Sequence, residues 1–225
     1  MSRLSITTNV LAVGAHPDDI ELGCGGALLA HRRAGHSITM LVMTDGDGAG
    51  SPAIRRHEQA TVARRLDANL LWGGFRDGEV PSGRATVNVI DEAVRASDAH
   101  IIYTHTANDA HQDHRHVAHA CIAAARTTPT VYCYETPSTL NFAPTVFVAL
   151  SDLLAAKIEL VGLHSSQVNR QGCVDLEVLN ALAKVRGHHA RLGFAEGFES
   201  PRSQFVISAP TAKETLHHPA LHAEA

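Results

Sequence analysis

No stretch of this chain reaches the roughly 18 consecutive apolar residues that a membrane-spanning helix requires, although 44% of its 225 residues are hydrophobic. The composition predicts a folded core and no membrane span. Aromatic residues make up only 4% and the formal charge is −4, so stacking platforms and a basic phosphate-binding face are both missing. Nucleic acid is not an expected partner; a small polar molecule is. Cysteine is sparse as well: Cys24, Cys121, Cys133 and Cys173 form no C-x-x-C pair. That spacing excludes a zinc knuckle and a disulfide framework and leaves reduced thiols. The stretch Met1–Thr8 is too polar and too short to read as a secretory signal, so a cytoplasmic location is expected. There is no G-x-S-x-G elbow. Gly23-Cys24-Gly25 begins like a dinucleotide fingerprint but has Leu28 at the third glycine, and Asp45-Gly46-Asp47-Gly48 fails as a calcium loop at Ala49. These glycines are expected to bring a helix N-terminus close to the preceding turn, and Asp45–Ser51 to be a rim loop.

What is abundant is histidine, with sixteen copies, several of them (His217, His218, His222) in a polar tail at about 209–225. Apolar runs alternate with helical patterns along the rest. Strands are expected at Asn9–Ala15, Ser37–Met43, Asn69–Trp72, His100–Thr104, Thr130–Tyr134 and Thr145–Leu150. Helices are expected at Gly26–Ala34, Pro52–Leu66, Ala85–Ala96, Gln112–Arg126, Asp152–Leu163 and Leu176–Arg191. This rhythm predicts an α/β fold: a Rossmann-like, mostly parallel sheet flanked by helices on both faces, with ligand sites beyond the carboxyl ends of the strands. No repeat or linker interrupts it, so residues 1–225 read as a single domain.

Two clusters fall on that ligand-binding edge. In His16-Pro17-Asp18-Asp19, the proline forces a stiff turn out of the first strand, so His16 and Asp19 can converge while Asp18 projects nearby. A polar turn capping the next helix would use the same residues. In His111-Gln112-Asp113-His114, the two histidines are helical neighbours at i, i+3, one able to bind metal while the other faces a substrate carbonyl. Asp113 can accept from an imidazole N–H and fix its tautomer. Together the clusters supply three metal ligands and a spare acid/base pair, the needs of a metallohydrolase.

The string Ala15-His16-Pro17-Asp18-Asp19-Ile20-Glu21-Leu22-Gly23-Cys24-Gly25-Gly26 resembles the opening motif of the PIG-L/LmbE family of zinc-dependent N-deacetylases, and Asn108–Arg115 resembles its second motif. Arg55-Arg56-His57-Glu58, Asp77-Gly78, Tyr134-Glu135, His164-Ser165-Ser166-Gln167 and Ala195–Phe198 agree with it further. The resemblance implies an LmbE-like fold and hydrolysis of the N-acetyl group of an N-acetylglucosamine-like amino sugar. It implies His16, Asp19 and His114 as ligands to Zn²⁺ or Fe²⁺, Asp18 as general base, and His111 as oxyanion stabiliser or acid, with Asp113 orienting His111. By the same resemblance Arg55 and Asp77 hold sugar hydroxyls. Asp109 stands where part of the family carries a tyrosine. An amidase of a sugar–thiol conjugate and a non-catalytic sugar-binding relative are the alternatives; a homo-oligomer is left open.

Overall fold

The structure is a computed structural model that describes residues 8–168 and 174–204. The N-terminal residues 1–7, Cys173 and the polar tail with His217, His218 and His222 lie outside the described residues. Seven strands form one sheet: β1 (Asn9–Gly14), β2 (Ser37–Thr44), β3 (Ala68–Phe75), β4 (Ile101–His105), β5 (Thr130–Tyr134), β6 (Val146–Ala149) and β7 (Ala195–Arg202). Their spatial order is β3-β2-β1-β4-β5-β7-β6. The first five are mutually parallel, and β7 pairs antiparallel with both β5 and β6.

β1 is apolar from Val10 onward because both of its faces are covered. Val10 and Ala12 belong to the core beneath α1 (Asp19–Arg33) and α2 (Pro52–Leu66); Leu11 and Val13 alternate onto the core beneath α3 (Arg84–Ser97) and α4 (Gln112–Ala124). The first core extends to α5 (Leu154–Gly162) and α6 (Leu176–His189), with Tyr103, Tyr134 and Phe198 at its centre. Helices therefore lie on both faces, as expected.

The order β2-β1-β4-β5 reverses direction between β1 and β4. At such a switch point the loops leaving two adjacent strands turn to opposite faces and open a crevice. His16 follows β1 and the Asn108–His114 segment follows β4, so the topology delivers both sequence clusters to one crevice.

The structure corrects the sequence reading in two places. First, α1 begins at Asp19 rather than Gly26, and is kinked at Cys24 (φ −140°, ψ 17°). The kink frees backbone groups that glycine-rich sequence alone leaves unsatisfied, and a buried ion pair takes them up. Glu196 accepts the N–H groups of Gly26 and Ala27 (2.7 Å each), while Lys157 Nζ donates to Leu22 O (2.8 Å) and meets Glu196 at 2.6 Å. The glycines serve packing at this kink: a Cβ on Gly23 would lie 2.0 Å from the Tyr134 ring, and one on Gly26 2.3 Å from Leu150. Second, β7 is absent from the expected strands, because Glu-Gly-Phe-Glu-Ser-Pro-Arg has neither alternation nor an apolar run. The pairing of β7 with β5 shifts register between Cys133 and Val131, where Ser200 and Pro201 intervene, an irregularity that tolerates a missing N–H.

Glu196→Ala would strip two buried N–H groups of their acceptor and leave the buried Lys157 without its carboxylate partner. The denaturation free energy should fall by about 3–5 kcal/mol, read from the urea midpoint. An unchanged midpoint would mean that packing alone holds the kink.

Candidate metal centre

After Gly14 the chain leaves β1 with its turn held at Ala15, whose N–H donates to His105 Nε2 (3.0 Å) and whose carbonyl accepts from Thr44 N and Oγ1 (2.9 Å each). Pro17 then directs the chain into Asp18, which sits in the left-handed region at φ 98°. A non-glycine residue there carries strain of about 1–3 kcal/mol and persists only when its surroundings hold it. Gln59 supplies part of that hold, its Oε1 accepting the Asp18 N–H (3.2 Å) while its Nε2 donates to buried Glu21 (2.7 Å). Glu21 in turn meets buried His164 at 3.2 Å. Arg55 completes the brace, donating to Pro17 O (2.5 Å) and Gly46 O (2.9 Å), with Asp18 Oδ2 at 3.5 Å.

With Asp18 so placed, His16 and Asp19 point at the same spot as His114. His16 Nδ1 lies 3.2 Å from Asp19 Oδ2 and 3.2 Å from His114 Nε2, and His114 Nε2 lies 3.4 Å from Asp19 Oδ1. Ligands about 2.0–2.1 Å from a tetrahedral ion are separated by about 3.3–3.4 Å. The donor set therefore fits a divalent ion in size and chemistry.

The far side of each imidazole is also engaged. His16 Nε2 faces Asp77 Oδ1 (3.1 Å) and Asp113 Oδ2 (3.3 Å); His114 Nδ1 faces Asp109 Oδ2 (3.2 Å). Such carboxylates keep the outer nitrogen protonated and leave the inner lone pair for metal. Asp113 also accepts from Gly78 N (2.7 Å) and Val80 N (3.2 Å), and Asp77 from Gly48 N (3.0 Å). These satisfied carboxylates act as ring holders.

Without a cation, the same carboxylates favour an extra proton on both rings, which an incoming ion would have to displace. Burial works against a charged His16, yet Asp113, Asp19 and Asp77 raise it well above the usual imidazole range. Burial would raise the Asp19 carboxyl, but His114 and His105 hold it well below the usual carboxylate range. Asp18 is pushed up to about 7, first by burial and then by Asp19, with Arg55 and His164 opposing. His111 is lowered by burial and by the neighbouring His16 and His114.

Two expectations need correction. His111 is not inside the helix but is the N-cap of α4, its Nδ1 accepting the Asp113 N–H at 3.2 Å. The extended N-cap backbone still stacks its ring on His114, with centroids 4.7 Å apart. And the Asp113 carboxylate meets His16, not His111, because α4 turns it toward the Gly78–Val80 loop. Arg55 and Asp77, expected at the substrate, are turned onto the first loop and His16, and both also line the cavity. Sequence reasoning missed Asp109 as the partner of His114, His105 beneath Asp19 (3.3 Å), and the Gln59–Glu21–His164 brace. His105 ends β4 one residue beyond the expected strand, and only its place on the ligand edge could have flagged it.

All eight candidate residues fall within one small volume, seven of them lining or contacting a cavity of about 230 Å³ that also touches Thr136, Ser138 and Gln167. Residues 11–125 match the family described as PIG-L: GlcNAc-PI de-N-acetylase. The chain belongs to the PIG-L family. It is 35% identical to the uncharacterized deacetylase YaiS of Escherichia coli (strain K12) over 176 residues, 74% of this chain and 95% of that protein. The diacetylchitobiose deacetylase of Thermococcus kodakarensis is 27% identical, covering 90% of this chain and 86% of that one. Among solved structures, the conserved protein TT1542 from Thermus thermophilus superposes with a TM-score of 0.79 at 26% identity, covering 89% of this chain and 98% of that one. The PIG-L match ends at 125, and so contains both motifs and the whole switch point while leaving α5, α6 and β7 outside.

Burial disfavours a charged His164, but Glu21 outweighs it, with Asp18 and Glu58 adding to the rise above the usual imidazole range. Because the folded value is raised, this stabilisation is complete below about pH 6.5 and is lost as pH rises through the folded value. In chelated protein, the difference in urea midpoint between the parent and His164→Gln should shrink steadily from about pH 6 to 9. A difference independent of pH would show that His164 is neutral in the fold.

Proposed function

We propose that this chain is a metal-dependent deacetylase that hydrolyses the N-acetyl amide of an amino sugar. The observation that carries this reading is the convergence of His16 Nδ1, the Asp19 carboxylate and His114 Nε2 within 3.2–3.4 Å of one another. Asp18 and His111 line the same cavity. In this reading His16, Asp19 and His114 hold Zn²⁺ or Fe²⁺. Such an ion, when bound, polarises an amide carbonyl and lowers the pKa of water.

The protein's own groups then divide the remaining work. Asp18, whose carboxyl is raised by burial and by Asp19 while a bound cation would lower it, is placed to accept a proton from the attacking water. That same proton is the one the departing amine needs, so Asp18 serves as base and then as acid and no net proton is lost by the enzyme. His111 is kept neutral by burial and the adjacent imidazoles, and its Nδ1 is occupied by the Asp113 N–H. Nε2–H is thus its donor, suited to the oxygen that gains charge as the carbonyl becomes tetrahedral. Asp113, Asp77 and Asp109 act by positioning, each through the imidazole it faces. Arg55 and Asp77, which also line the cavity, are assigned to the sugar hydroxyls. An acetyl amide on a sugar is supported further by the relatives named deacetylases and by the lack of any basic or aromatic platform for a polymer of nucleotides.

Acetate release from methyl glycosides of N-acetylglucosamine is the direct assay. Asp18→Asn should retain one metal per chain while turnover falls by roughly a hundredfold or more. Chelation should abolish turnover and Zn²⁺ or Fe²⁺ restore it. Near-normal turnover of metal-loaded Asp18→Asn would remove the base assignment, and activity indifferent to chelation would remove the metal.

A further inference from the structure

The three converging side chains come from two places, the loop after β1 and the first turn of α4, and one buried side chain touches both. His105, the last residue of β4, is fully buried, and its Nε2 accepts the N–H of Ala15 at 3.0 Å. The Ala15 carbonyl is held from β2 by Thr44 N and Oγ1. Both peptide groups of Ala15 are therefore fixed, one from β4 and one from β2, and the direction in which His16 leaves the chain is fixed with them. His105 also packs against the second cluster. Its ring stacks on that of His114, with centroids 4.0 Å apart and planes 17° from parallel, and His114 stacks in turn on His111 (4.7 Å, 23°). Tyr134, its neighbour in the β4–β5 register, lies 4.8 Å away and is tied by its hydroxyl to Val13 O (2.8 Å). A column of rings thus runs from β5 to α4, and His105 ties it to the backbone of the first loop.

Packing alone does not account for an imidazole at this position. With Nε2 taken by the Ala15 N–H, the proton of the neutral ring sits on Nδ1, and Nδ1 is buried with no hydrogen-bond partner among the described residues. A buried donor left unpaired costs free energy that an apolar side chain of similar size would avoid. The same bond removes His105 from the ligand set, although its Nε2 stands 3.3 Å from Asp19 Oδ2: the lone pair a cation would need is already in use. What the imidazole supplies, and an apolar residue cannot, is the acceptor for Ala15.

We propose that His105 is a positioning residue of the metal centre, fixing the first loop against the ring of His114 so that His16 and Asp19 meet a cation at the place His114 sets. The proposal rests on the metal-dependent reading above and adds to it a residue outside the ligand set. Its essential atom is Nε2, because the stack on His114 can be supplied by any flat ring whereas the grip on Ala15 needs an acceptor. Losing that grip lets the peptide before His16 turn, and one ligand drifts while the other two stay.

Three substitutions in the full chain separate the acceptor from the ring. His105→Phe keeps a flat ring and removes the acceptor, His105→Leu keeps only the volume, and His105→Gln restores an acceptor oxygen near the place of Nε2 without the ring. The readouts are Zn²⁺ affinity, by competition with a chelating dye, and the visible ligand-field bands of bound Co²⁺, which report ligand geometry; the urea midpoint of each chelated variant establishes that it is folded. His105→Phe and His105→Leu should lose roughly tenfold or more in Zn²⁺ affinity, the scale on which groups that hold metal ligands act. Their Co²⁺ bands should shift, and His105→Gln should recover most of both. A role in stability alone would lower the midpoints and leave the Co²⁺ bands unmoved. Parent-level affinity or unmoved bands in the two apolar variants, a His105→Gln variant no better than they are, or failure of both apolar variants to fold overturns the proposal. A parent that binds no Zn²⁺ overturns it together with the metal. A parent that binds Zn²⁺ but releases no acetate removes the deacetylase reading alone, and the affinities still decide the role of His105.

Discussion

Two imidazole nitrogens and a carboxylate are packed within 3.2–3.4 Å of one another in a buried crevice, and everything else about the site follows from that crowding. In the absence of a cation such atoms must share protons, since buried acceptors that face one another gain nothing. A divalent ion resolves the conflict with better charge balance. The surrounding carboxylates are arranged for that outcome: Asp77 and Asp113 occupy the outer nitrogen of His16, and Asp109 that of His114, so neither ring can turn its protonated edge inward without losing a partner.

The fold supplies the convergence, and local strain sharpens it. Parallel strands β1 and β4 lie side by side at the switch point, so residues far apart in sequence meet with no long loop between them. The left-handed conformation of Asp18 places its carboxylate beside, rather than within, the ligand set, and allows α1 to begin at Asp19. Holding that conformation requires a structure that reaches well beyond the motif. Gln59 and Arg55 from α2 grip the loop, and Glu21 and His164 tie α1 to the segment after α5. The kink in α1, capped by Glu196 and Lys157, lets the same helix present Asp19 at its start and then pack its glycine face on Tyr134. Strain at the site is thus opposed by contacts with three other elements.

Much of this was legible in the residues. The β1 to β5 rhythm and the clusters at 16–19 and 111–114 could be read because apolar runs and Pro-directed turns are local signals. β7 was illegible because its pairing is set by neighbours on both sides and its own sequence carries charge, glycine and proline. The early start of α1 was hidden for a similar reason: the groups that satisfy its kink, Glu196 and Lys157, lie over a hundred residues away. Asp113 was recognised as a ring holder but matched to the wrong ring, since sequence proximity favoured His111 and only the turn of α4 toward Gly78 brings it to His16. Asp109 appeared only as a departure from the tyrosine of some relatives, yet three-dimensionally it holds His114.

The most direct test is anomalous diffraction from crystals of the chain grown with Zn²⁺ or Fe²⁺. One peak should lie between β1 and β4, with His16 Nδ1, an Asp19 oxygen and His114 Nε2 each about 2.0–2.2 Å from it. A peak bonded instead to His16 Nε2, Asp77 and Asp113, or no peak despite a loaded sample, would contradict the account.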